Sequence, residues 1–144
     1  MSYEAHHALD PFFEIILRGL DGLVTGEHFY DTIADAAVFE FRYEFPGFAR
    51  VVRGRAALIE AFSGYGDNIV LHSADELVVH RAEHVVTLEY DVHGTIVATG
   101  GAYDNRFASI ITIDARQIVR WRDYMDSLAA WKALTHRAPD RSRS

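Results

Sequence analysis

Between Gln117 and Asp126 the side chains alternate with a period of two, which predicts a strand. Val119, Trp121, Asp123 and Met125 fall on one face; Ile118, Arg120, Arg122, Tyr124 and Asp126 fall on the other. The same alternation over 37–45 sets Phe39, Phe41, Tyr43 and Phe45 against Val38, Glu40, Arg42 and Glu44, and Pro46-Gly47 breaks it. Further strands are predicted near 68–80, 83–93 and 98–114, leading into the one at 117–126, with turn signals at Ala82-Glu83, Gly94 and Asp114-Ala115-Arg116. Elsewhere the spacing is helical. After Asp10-Pro11, a suitable helix start, Phe13, Ile16, Leu17, Leu20 and Val24 share one face as far as Gly26. A short second helix holds Phe29 and Ile33, a third spans 54–62 with Leu58, Ile59 and Phe62 inward, and a last spans 127–135 with Leu128, Trp131 and Leu134. Helices first and long antiparallel strands afterwards predict an α+β domain, with helices covering one face of a strongly bent sheet around a cavity.

At 144 residues the chain is one domain, expected at 10–136 between a flexible segment 1–9 and a disordered polar tail 137–144. A net charge of −7 argues against nucleic acid and against an anionic membrane surface, both of which need clustered Lys and Arg. No apolar stretch approaches the ~20 residues that span a bilayer. The absence of cysteine excludes thiol chemistry. With no basic, then apolar, leader at the N-terminus, the expected location is the cytoplasm. Aromatics reach 12%, enough to wall a pocket for a flat apolar ligand or to fill an ordinary core.

Asp123 is the lone carboxylate on a large apolar strand face. A charge there is costly unless it is paired or its pKa rises, and a raised pKa makes a proton-transfer group. The alternative is an inert acid bonded to an arginine. His72, on a strand predicted to border the same cavity, is the candidate partner, since imidazole titrates near neutrality. Tyr103 and Asn105, two apart, share a face and can each donate to a ligand oxygen. Tyr43 and Trp121 are candidate pocket walls, and Glu89 points inward or toward a partner subunit. Arg42 either holds an anion or pairs with Glu40 and Glu44. The eight His show no metal-ligand spacing, so neither metal nor cofactor is expected. Ser63, Ser73 and Ser109 lack a nucleophile-elbow pattern.

Three segments resemble the SnoaL-like polyketide cyclases of the nuclear-transport-factor-2-like superfamily, which also holds ketosteroid isomerase. They are Phe39-Glu40-Phe41 through Arg53-Gly54-Arg55-Ala56-Ala57-Leu58, then Tyr103-Asp104-Asn105-Arg106-Phe107, then Ile118 to Asp126. The resemblance implies a cone-shaped α+β barrel and a homodimer. It implies a cofactor-free isomerase, cyclase or lyase moving a proton on a small, largely apolar or polycyclic carbonyl compound. Asp123 then stands where phenazine-type relatives carry a cavity carboxylate, and His72 near where relatives place a histidine. Two alternatives accompany this reading: a non-catalytic ligand-binding or dimerisation module, and an epoxide hydrolase, which requires an Arg beside Asp123.

Overall fold

A computed structural model describes residues 3–135. Six strands form one curved, unclosed sheet: β1 (Ile33–Phe41), β2 (Val51–Arg53), β3 (Ile69–Ala82), β4 (Val85–Ile96), β5 (Ala102–Asp114) and β6 (Gln117–Met125). Their spatial order is β2-β1-β6-β5-β4-β3, with β1 and β6 parallel and every other pair antiparallel. Three helices accompany it: α1 (Asp10–Gly19), α2 (Arg55–Phe62) and α3 (Ser127–Thr135). The architecture is the expected α+β cone.

The first helix forms because Pro11 sits in its first turn, where no intrahelical N–H bond is lost. It buries Phe13, Ile15 and Ile16, with Leu20 just beyond its end, against β3 and β4. Gly19 lets helix and sheet approach closely: a Cβ there would lie 2.7 Å from the Leu88 side chain. Residues Glu4–Leu9, expected to be flexible, form a 3₁₀ turn with Ala8 and Leu9 buried. The expected tail, 137–144, lies outside the described residues.

Four register shifts interrupt the ladders, and two of them reset the period-2 pattern at candidate site residues. Ile113 pairs with Ile118 but Thr112 pairs with Arg120, so Val119 is an extra residue in β6. The bulge rotates the strand, and Ile118 joins Trp121 and Asp123 in the interior, contrary to straight alternation. In β3, Leu71 pairs with Gly94 and Ser73 with His93, which leaves His72 as the extra residue. Gly94 is no turn; it lies within β4, where a Cβ would come within 2.4 Å of the Val70 carbonyl oxygen. The first strand also starts earlier than alternation indicates and stops at Phe41, so Tyr43 and Phe45 belong to the following loop.

The Asp114–Gln117 hairpin uses Ala115 and Arg116, both at positive φ (50° and 63°), where Asn-Gly is the easier choice. Arg116 offsets that strain through its guanidinium, which donates to Thr25 Oγ1 at 2.8 Å and to the carbonyls of Gly22 and Val24. The hairpin is thereby tied to the segment that follows α1.

Candidate active site

Asp123 is buried on β6, with 6% of its surface exposed. Its backbone carbonyl accepts from the Arg42 N–H at 2.7 Å, which anchors it to the end of β1. Its side chain is met by two neutral donors. Ser109 Oγ, directly across the β5–β6 ladder, donates to Oδ1 at 2.7 Å, and Trp121 Nε1 donates to the same oxygen at 3.0 Å. Ser109 has one proton and gives it to the acid, so its 2.8 Å contact with Tyr90 is a bond donated by the phenol. A chain Tyr90 to Ser109 to Asp123 therefore supports Oδ1 from behind. Oδ2 has no protein partner among the described residues and is left to the cavity that Asp123 lines.

Burial pushes the Asp123 carboxyl up to about 7, and the Ser109 and Trp121 bonds hold it back from rising further. The cavity, about 90 Å³, is walled by apolar side chains such as Phe12, Phe41, Leu71 and Phe107. Three phenols also line it: Tyr43, Tyr65 and Tyr103. Desolvation raises the pKa of all three, Tyr103 to about 12, so each is a neutral O–H donor at physiological pH. Asn105 stands behind Tyr103 and donates to its oxygen at 2.8 Å, which leaves the phenolic proton free for another acceptor.

Asp123, Tyr43 and Tyr103 are thus brought together. Trp121 and Asn105 support them from the second layer, Trp121 through its indole N–H and Asn105 through its amide. His72 and Glu89 do not join them. The bulge exposes His72, whose Nε2 contacts Thr95 Oγ1, and it is absent from the cavity wall. Glu89 lies on the opposite face of β4 from Tyr90 and pairs with His80 at 2.7 Å. Arg42 pairs with Glu40, which Arg120 and Arg122 also meet, so it belongs to an outer ion cluster. Among the described residues no group of three or more His, Asp or Glu is placed to hold a metal ion. The residue pattern alone assigns no site role to Ser109, Tyr90 or Tyr65. The available signal for Ser109 was its place opposite Asp123, which the Val119 bulge shifts by one position.

Residues 18–121 match the SnoaL-like domain. The chain belongs to this SnoaL-like family. The uncharacterised protein YesE of Bacillus subtilis (strain 168) is 32% identical over 100 residues, 68% of either chain. A solved structure of a candidate isomerase from Bacillus subtilis superposes with a TM-score of 0.70 at 26% identity, covering 92% of this SnoaL-like chain and 95% of that one. A phenazine biosynthesis-related protein from Pseudomonas aeruginosa gives a TM-score of 0.65 at 18% identity, covering 99% and 90%. A nuclear-transport-factor-2-like protein from Burkholderia xenovorans LB400 also gives 0.65, at 19% identity over 94% and 99%. The last two likenesses concern the fold. No helix of the described residues is long and apolar enough to cross a membrane.

Proposed function

We propose that this SnoaL-like protein is a cofactor-free proton-transfer enzyme acting on a small, largely apolar carbonyl compound. One observation carries the reading: a buried carboxyl, poised near neutrality, presents an unpartnered oxygen to an apolar cavity that also holds three neutral phenols. Asp123 Oδ2 takes the proton from the carbon beside the carbonyl, and that C–H electron pair moves into the enolate. Tyr103, or Tyr43, donates its phenolic hydrogen bond to the enolate oxygen, where such a donor is worth about 2.7–4 kcal/mol in a dry site. Where the enolate is conjugated with a carbon–carbon double bond, Asp123, now protonated on Oδ2, returns the proton to the far carbon of that system, which gives isomerisation. If the enolate carbon instead attacks a second carbonyl of the same molecule, a C–C bond forms, that carbonyl's π pair becomes an alkoxide, and the alkoxide takes the proton from Asp123, which gives ring closure. The isomerase assignment of the Bacillus subtilis neighbour is consistent with this class.

The partners of Asp123 favour a base over the rival readings. An inert acid would be held by a cation, and an epoxide-opening site needs an arginine beside the acid. Ser109 and Trp121 are neither. The test is exchange of the ring α-protons of 4-phenylcyclohexanone in D₂O, followed by NMR. Wild type is expected to accelerate exchange, with a rate rising as pH passes through about 7 and Asp123 ionises. Asp123→Asn is expected to lose about 10²–10⁴-fold, the range of a general base. Undiminished exchange in that variant eliminates Asp123 as the base.

A further inference from the structure

The Asp123 cavity is too small for a whole drug-sized ligand. One water needs about 10–15 Å³ on a comparable measure, so the 90 Å³ present suits only a compact group. It does not end blindly. Phe41, Phe45, Phe48, Phe62, Tyr65 and Ile69 line both this cavity and an adjoining groove of about 630 Å³, which runs out between the Phe45–Ala49 loop and α3. Two features distinguish that groove. Among the described residues its wall contains no charged side chain, although 24% of the chain's residues are charged, and the one charged group in the inner cavity is Asp123 itself. The groove mouth also carries two large aromatic rings held unusually open to water, Phe48 at 49% exposed and Trp131 at 46%. Both pack on Phe45, at ring-centroid distances of 5.3 Å and 6.2 Å, which makes a three-ring cleft.

Arg50, which borders the outer side of the same rings, is already paired with Glu44 at 2.8 Å, so a carboxylate or phosphate entering this path would lose its hydration, meet no unpaired cation among the described wall residues and approach an acid. An aromatic ring would cover exposed apolar surface and stack in the cleft. Resting on the proton-transfer reading for its inner end, we propose that the ligand is an uncharged, two-part molecule. Its compact carbonyl head enters the Asp123 cavity, and its flat aromatic tail lies in the outer groove between Phe48 and Trp131.

Calorimetric binding of four probes to the full chain tests this: cyclohexanone, 4-phenylcyclohexanone, 4-cyclohexylcyclohexanone and 4-(4-oxocyclohexyl)benzoate. The phenyl ketone is expected to bind about tenfold or more tighter than cyclohexanone, from burial and stacking of one ring. The benzoate is expected to lose at least that gain, and the cyclohexyl compound to bind more weakly than the phenyl one. Trp131→Ala, at an exposed position outside the inner cavity, is expected to weaken the phenyl ketone several-fold, roughly the worth of an aromatic contact, and to leave cyclohexanone unchanged; Phe48→Ala, which lines both spaces, is expected to weaken the phenyl ketone as well. Equal affinity for head and two-part probe, tight benzoate binding, or indifference of both variants overturns the proposal. Equal binding of cyclohexyl and phenyl compounds overturns its aromatic part. Asp123→Asn separates the two readings, since it is expected to keep phenyl-ketone binding while losing exchange. Tail-dependent binding without exchange in wild type sinks the catalytic reading alone. Exchange without tail dependence sinks the two-part ligand alone.

Discussion

Ser109 faces Asp123 across the β5–β6 ladder and hands its only proton to Oδ1, while Tyr90 supplies the serine oxygen from behind. Three side chains on three neighbouring strands thus set the ionisation of one acid. In Ser109→Ala the carboxylate loses a donor that favours its charged form, so its pKa rises beyond about 7. The pH–rate profile for α-proton exchange is expected to move to higher pH. Denaturation should show a loss of about 1–3 kcal/mol, because the buried Tyr90 hydroxyl is orphaned.

Stability itself should carry the signature of Asp123. Its folded value of about 7 lies above its ordinary 3.8, so between those values the folded state holds the extra proton. Stability from this group is therefore full below 3.8 and falls as pH rises toward 7, in total by something on the order of 4 kcal/mol. Asp123→Asn removes that titration. Urea unfolding at pH 4 and pH 8 is expected to show wild type losing ground against the variant at the higher pH. A constant difference between the two proteins would contradict a buried, neutral-range carboxyl.

His72→Ala is expected to leave exchange within about twofold of wild type and stability within about 0.5 kcal/mol, the usual range for a surface position. The imidazole is exposed at a bulge and contacts Thr95. A large rate loss in this variant would return His72 to the site.

Gly94→Ala places a methyl group against the Val70 backbone oxygen, which no side-chain rotation can relieve. Overpacking of this kind costs about 1–3 kcal/mol, and thermal unfolding should show it as a drop of several degrees. The same substitution at Gly22, whose added Cβ meets nothing, strains only its backbone at φ +80° and is expected to cost less.

Much of this was legible in the residues alone, for a definite reason. Alternation places Asp123 inward, and it does point inward, because the β6 bulge at Val119 lies before it and leaves the Trp121–Asp123 stretch in phase. Ile118, on the far side of that bulge, falls on the outer face by alternation and on the inner face in the structure. The same displacement hides Ser109: counting back from the Asp114–Gln117 pair sets Ala108 opposite Asp123, and the extra residue substitutes Ser109. His72 fails similarly. A histidine between Leu71 and Ser73 gives no local sign that the chain takes an added step there, since the shift appears only in the pairing with Gly94 and His93 on the neighbouring strand. Pairing irregularities are properties of two strands, and a one-strand pattern does not contain them. Tyr65 lies in a short 3₁₀ turn, where no periodicity marks a face.

The bond from the Arg42 N–H to the Asp123 carbonyl ties the acid to the residue just past the end of β1. Tyr43, Phe45 and Phe48 all lie on the span that follows, outside the sheet. The acid is thus fixed in the sheet, while part of the opposing wall is carried by a loop outside it. Substitutions along that loop can reshape the wall and leave the Ser109–Asp123 contact in place.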